Sequence, residues 1–242
     1  MDGFAVSLPE GERFFIRSLR HYLGRIEDPA VRQDIQGYAE QEGHHAREHA
    51  AYNQALRRLG VDVDALEAPI RARFPRVEGP MMRLLITCAI EQLTYALSHV
   101  MLSKDDIMRN SRPAYRRLWT WHAVKELEHS AVALRVLREV TKDMPGWRRY
   151  FMRVGVFNGV LVHFVRISVR NIVAIAENAG VRPGWRSWAR GLWAILGHPG
   201  HLRAALPPLL AYYRPGYLGA RRGDDALLRR GRARLAAEPA AG

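Results

Sequence analysis

Apolar positions recur along this chain at three- and four-residue intervals, and runs that alternate apolar with polar residues are sparse. That period belongs to helices with one buried face. Phe14, Phe15, Ile16 and Leu19 give such a face to a first helix over 9–25, opened by Pro9 and Glu10. A second helix is predicted over 29–59: Asp28-Pro29 supplies an N-cap and a first-turn proline, and Gly60 suits the position after its end. Residues 60–79, with Pro69, Pro75 and Gly79, read as a link long enough, when extended, to run the length of a bundle. A third helix over 80–109 places Leu84, Leu85, Cys88, Glu91, Gln92, Tyr95 and His99 near one stripe. The breaker cluster Asn110-Ser111-Arg112-Pro113 separates it from a fourth over 113–142. Two helical hairpins joined by a long crossover form the ferritin-like connection. The predicted fold is all-α, a ferritin-like four-helix bundle with additional C-terminal helices.

Those additions begin with a fifth helix over 147–178, whose apolar run from Val154 to Val165 is too short by itself to span a bilayer. Shorter helices are predicted at 184–196 and 199–213, and the Arg-, Ala- and Gly-rich stretch from Gly219 reads as a mobile tail or frayed helix. The implied organisation is a bundle over 1–145, a helical extension packed on it over 146–218, and a tail over 219–242.

Polar residues on the predicted buried faces carry the candidate chemistry. Glu42-x-x-His45 and Glu126-x-x-His129 each put a carboxylate and an imidazole on one helix face. A bundle holding two metal ions takes such a pair from each of two helices and a single Glu from each of the others. Glu12 and Glu91 supply the singles, in the order single, pair, single, pair. The midpoint of each single-to-pair interval falls at a breaker, near Asp28-Pro29 and near Asn110, so each single faces its pair across a hairpin. Glu is a hard ligand able to bridge metals, and imidazole adds a neutral donor suited to iron, manganese or zinc. His122 shares a face with Glu126 and His129 and is the seventh candidate ligand. His49, one turn after His45, is expected to support the ligands or to replace one. Tyr38, Tyr95 and His99, within two turns of Glu42 or Glu91, are expected to lie just outside them. His44 is rotated by about 100° from His45 and is set aside. So are Glu10, at a helix start, and Glu128, out of phase with the pair.

The lone cysteine, Cys88, excludes a disulfide framework and fits a reducing cytoplasm. The N-terminus has no basic stretch followed by an apolar run, so no secretory signal is read there. The net charge of +13 is uneven: residues 1–145 carry +1 and residues 146–242 carry +12, with 16 Arg against four acids. That half calls for an acidic partner, either an anionic membrane surface or an acidic carrier protein. Trp147, Trp185, Trp188 and Trp193 lie among its arginines, which suits the membrane. Nucleic acid is disfavoured, since no recognition motif is present.

Gly11-Glu12-Arg13-Phe14-Phe15, Gln41-Glu42-x-x-His45-x-x-x-His49 and Trp121-His122-x-x-x-Glu126-x-Glu128-His129 together resemble the bacterial family described as predicted metal-dependent hydrolases. The resemblance runs over nearly the whole chain, to Tyr212-Tyr213-Arg214-Pro215-Gly216, with Lys125 standing where the family leads one to expect an acid. The ligand order is also similar to that of di-iron arylamine N-oxygenases, whose final His-x-x-x-Glu-x-x-His is matched by His122, Glu126 and His129. The leading expectation is a di-metal enzyme, with iron first and manganese or zinc as alternatives, that oxidises a small organic substrate with O2. Glu42 and Glu126 would be its catalytic bridging carboxylates. Hydrolysis through a metal-activated water is the alternative. A non-catalytic basic helical adaptor at the membrane periphery is the third expectation.

Overall fold

The computed structural model describes residues 2–104, 106–219 and 223–237 and is all-α, with no strand among them. The helices are α1 (Asp2–Ala5), α2 (Leu8–Arg20), α3 (Pro29–Arg58), α4 (Val63–Arg73), α5 (Pro80–Ser103), α6 (Pro113–His129), α7 (Val132–Val140), α8 (Gly146–Asn178), α9 (Trp185–Leu196), α10 (Leu206–Ala211) and α11 (Asp224–Ala237). Short 3-10 turns occur at Phe74–Arg76 and His201–Ala205.

Local chemistry sets the boundaries of the site-bearing helices. Asp28 caps α3 by accepting from the Ala30 amide at 2.8 Å, with Pro29 in the first turn. Gly60, at φ +84°, turns the chain out of α3, and Asp62 caps α4 through the Ala65 amide at 3.0 Å. Gly79, at φ +78°, leads into Pro80 at the start of α5. The stretch predicted as a link thus contains a helix, whose Val63, Leu66 and Ile70 are buried.

α2 packs on α3 and α5, α5 on α6, and α3 on α6 and α7, which closes a ring of four main helices. Its apolar interior comes in two clusters. One holds Phe14, Phe15 and Leu19, Ile35 and Tyr38, Leu84 to Leu93, and Ala133 to Leu137. The other holds Leu8, Tyr95 to Leu102, and Trp119 to Leu127. The chain passes from one cluster to the other at Glu12 on α2, at Thr94, one turn after Glu91, on α5, and at His129 between α6 and α7. On α3, the residues from Glu42 to His49 follow the Val31–Tyr38 segment of the first cluster. The polar residues therefore form a layer between two greasy ends.

Three outer features depart from expectation. The predicted fourth helix is broken at Ser130-Ala131 into α6 and α7. Gly219, at φ +103°, packs against the break; a Cβ there would lie 2.7 Å from Ala131 Cα and 2.9 Å from the Ser130 carbonyl. The predicted tail contains α11, packed on α6 and α5, while residues 220–222 and 238–242 of that stretch lie outside the described residues. The fifth helix is one of two among the described residues that are long and apolar enough to cross a membrane; the other, α5, is mostly buried. The apolar character of α8 continues past Arg166 through Ile167, Val169, Ile172 and Val173, which is why the shorter run misjudged it. One side of α8 rests on α1 and α5, with Arg153, Phe157 and Asn171 buried, and the rest faces outward.

Gly219→Ala is expected to destabilise the fold by about 2 kcal/mol or more, because it adds both a backbone clash and a side chain at positive φ. Gly37, within α3 with open space at its Cβ position, should instead gain up to about 1 kcal/mol on changing to Ala. Urea melts of the two variants would check the opposite signs.

Candidate metal centre

Four helices bring their polar side chains into this layer. Glu42 and His45 of α3 meet Glu126 and His129 of α6, with one ligand atom from each within 4.8 Å of the others. A second group joins Glu12 of α2, His49 of α3 and His122 of α6 within the same limit, and all seven residues are buried. Three or four helical residues separate the members on each helix, so α3 and α6 each contribute to both groups from a single face.

In the first group, Glu42 Oε1 lies 3.2 Å from His45 Nδ1 and 3.1 Å from His129 Nε2. Glu126 Oε1 lies 3.6 Å from His45 Nδ1 and 3.8 Å from His129 Nε2. It is also 3.6 Å from His122 Nε2, which ties the two groups together. In the second group, His49 Nδ1 and Glu12 Oε1 are 2.6 Å apart. The His122 ring centre lies 4.7 Å from that of His49 and 4.8 Å from that of His45.

Glu91 belongs to neither group. Its Oε2 is 3.3 Å from His129 Nδ1, and its Oε1 accepts from Tyr38 Oη at 2.8 Å. Thr94, one turn further along α5, donates to Glu126 Oε2 at 2.6 Å. Trp119 stacks on His49 at 5.4 Å, and the half-buried Trp121 lies edge-on to His45 at 4.9 Å.

The layer is poor in aligned hydrogen bonds. Both oxygens of Glu42, both ring nitrogens of His45 and of His129, Glu12 Oε2, Glu91 Oε2, His49 Nε2 and His122 Nδ1 have no hydrogen-bond partner among the described residues. Buried polar atoms without partners are costly and uncommon. Several of these atoms are close enough for ion pairing yet not directed along one another's lone pairs, as expected of donors that converge on shared points. The donor set fits metal ions.

Electrostatics agree. Burial, reinforced by the Glu42 charge, pushes the Glu12 carboxyl well above its usual range; burial and the Glu91 charge do the same to Glu126. Burial also raises Glu91. For Glu42, burial is outweighed by His129 and His45, which hold it at about 2. Burial lowers His49 to about 4 and holds His122 well below the ordinary value, which leaves both imidazoles neutral, the ligating form. His129 goes the other way, because Glu126, Glu42 and Glu91 outweigh its burial. Carboxyl groups and an imidazolium that keep their protons in this buried layer could give them up only where other positive charge replaced them, which divalent cations would supply.

All seven sequence-predicted ligands thus lie in one layer, with Glu91 at its edge. His49, expected as support, stands inside the second group because one turn along α3 carries it to the level of Glu12. Tyr38, one turn before Glu42 in sequence, lies against Glu91 of α5. Tyr95 and His99 do not face the layer: Tyr95 donates to Asp224 Oδ2 at 2.7 Å, and His99 Nε2 is 3.0 Å from Asp224 Oδ1. Their partner is the first residue of α11, in the stretch read as a tail. Thr94 was missed, though its three-residue spacing from Glu91 on α5 was a usable signal. Glu10 pairs with Arg13, and Glu128 with Lys125 and Arg232, so both are outside the centre.

A family model described as "Predicted metal-dependent hydrolase" matches residues 1–220. No curated protein and no solved structure matches the chain.

His49→Ala should remove one equivalent of tightly held metal, whereas Glu91→Gln should keep both equivalents with affinity lowered about 10–100-fold. Elemental analysis after gel filtration reads the difference. Metal uptake should also release protons, because Glu12, Glu126 and His129 hold theirs above the usual range and must give them up to bind. Affinity should therefore fall steadily as pH is lowered from about 7.5 to about 5.5. Calorimetry in buffers of different ionisation enthalpy would count the protons released.

Proposed function

The chain belongs to the predicted metal-dependent hydrolase family, and from that premise we propose that it is a two-metal hydrolase built on a ferritin-like bundle of α2, α3, α5 and α6. The observation that carries this reading is the pair of buried Glu/His groups joined through Glu126. Glu12, His49 and His122 would hold one ion, and Glu42, His45, Glu126 and His129 the other, with Glu126 Oε1 also near His122 and Glu91 at the edge of the layer.

When bound, two divalent cations supply a water of lowered pKa and polarise a carbonyl or phosphoryl oxygen. The chain's own residues set the stage for that chemistry. Thr94 fixes one oxygen of Glu126 and leaves Oε1 turned toward His45, His122 and His129. Glu42 contacts the imidazoles of both motifs and keeps its charge despite burial. Tyr38, whose hydroxyl stays protonated because burial and the Glu91 charge raise it, holds Glu91 by one oxygen. That leaves Glu91 Oε2 facing His129 Nδ1 at 3.3 Å, an ion-pair contact that helps to orient the His129 ring. Trp119 and Trp121 shield the imidazoles on one side from bulk water.

A second reading, O2-dependent oxidation of a small organic molecule, is favoured by one observation. The buried Tyr38 phenol, 2.8 Å from Glu91, offers a redox-active group beside the centre. Metal-loaded protein assayed against ester, amide and phosphoester panels separates the two readings. The hydrolase reading expects turnover that persists without oxygen and falls at least about 100-fold in Glu42→Ala and Glu126→Ala at unchanged helicity. Oxygen consumption coupled to product, with no anaerobic turnover, would replace it by the second reading. Protein that holds no tightly bound metal would overturn both.

A further inference from the structure

α9 is a helix turned inside out. Trp185, Leu192 and Leu196 recur at seven and four residues and so lie along one line of its surface. They are 75%, 55% and 56% exposed, and Trp193 beside them is 67% exposed. The side turned inward carries the half-buried Trp188, and no residue of α9 is buried. Its main packing is against the 3-10 turn His201–Ala205. An amphipathic helix in water puts its apolar line against the core, and this one presents it outward. Leu206 and Leu210 of α10, which packs against the same turn, are also exposed.

The charge beside this line has one sign. Arg186 and Arg190 are exposed on α9, Arg182 precedes it, and Arg186 lies over the Trp185 ring at 5.4 Å. Between Glu177 and Asp224 the chain carries seven Arg and no acidic residue. An apolar face rich in Trp and Leu, edged by Arg alone, matches the boundary between acyl chains and phosphate headgroups. Leucines enter the hydrocarbon, indoles sit at its edge, and guanidinium forks take phosphate oxygens. A protein partner would have to be both apolar and acidic over the same small area, whereas an anionic bilayer is so by construction.

We propose that α9, with the exposed leucines of α10, docks this protein on the surface of an anionic lipid bilayer, lying in the headgroup plane without crossing it. The proposal is independent of the hydrolase reading, since α9 holds none of the metal-centre residues.

The test uses the full metal-loaded chain floated with vesicles of phosphatidylcholine alone or mixed with phosphatidylglycerol. Binding should appear with the mixed vesicles, weaken with added salt, and be accompanied by quenching of tryptophan emission by brominated acyl chains. Replacing Trp185, Leu192 and Leu196 together by Ser should lower partitioning about 100-fold. Arg186→Glu with Arg190→Glu should lower it about 30-fold or more. These side chains are solvent-exposed, so both variants should keep the parent's metal content, which serves as the check on folding. Equal partitioning of parent and variants, equal binding to neutral and mixed vesicles, or absence of quenching in the parent chain would overturn the proposal. So would a lipid-free dimer, seen by light scattering, that the Ser variant dissolves, because α9 would then be covered by a second copy.

Discussion

The organising constraint is a layer of buried charge. Glu12, Glu42, Glu91 and Glu126 all lie between apolar clusters, among His45, His49, His122 and His129, and few of their polar atoms make aligned hydrogen bonds. Packing such groups together without compensation would cost far more than the margin by which domains are stable. Bound cations would answer the charge, and the two apolar ends hold the helices in register. The same constraint explains why the carboxylates behave differently. Glu42 has imidazoles of both motifs at 3.2 and 3.1 Å, closer than the 3.6 and 3.8 Å at which the same rings lie from Glu126, and Glu42 keeps its charge against burial whereas Glu126 is pushed up.

Support around the layer follows from each group's need for a partner on its far side. Glu126 receives the Thr94 hydroxyl, Glu91 receives the Tyr38 hydroxyl, and His129 faces Glu91 with the nitrogen turned away from Glu42. These contacts remove rotational freedom from side chains that would otherwise reorganise around each new charge. The indole of Trp119 stacks on His49 and adds to the burial that keeps that imidazole neutral and available as a donor, while Trp121 lies edge-on to His45.

The layer was legible because it obeys helical spacing. Glu42, His45, Glu126 and His129 announce their face by a three-residue step, and Glu12 and Glu91 follow from where the turns lie. The all-α class and the hairpin bends were legible for the same reason, since proline, Asp caps and glycine act locally. What escaped were facts of depth and of distant contact. Periodicity places His49 on the right face but does not say at which level Glu12 crosses it. Nothing near Tyr95 or His99 signals that Asp224, far along the chain, would claim both. The break at Ser130-Ala131 was hidden too, because the Gly219 turn that packs there comes from another part of the sequence.

The basic C-terminal half divides once its arginines are followed individually. Arg230 and Arg234 of α11 donate to the carbonyls of Ser103 and Met101 at 3.2 and 3.0 Å, groups that the end of α5 leaves without intrahelical partners. Arg153 on α8 is buried and reaches the carbonyls of Tyr212 and Arg214, holding the turn after α10 over the first apolar cluster. Arg232 pairs with Glu128 on α6. These residues explain why a strongly basic segment remains attached to a nearly neutral bundle: their guanidinium groups answer backbone oxygens and one acid, so their role is architectural. Arg182, Arg186 and Arg190 differ in kind, exposed beside an outward line of Trp and Leu with no acid between Glu177 and Asp224. The charge asymmetry is therefore two features superposed, one that fastens the outer helices to the bundle and one that faces away from it.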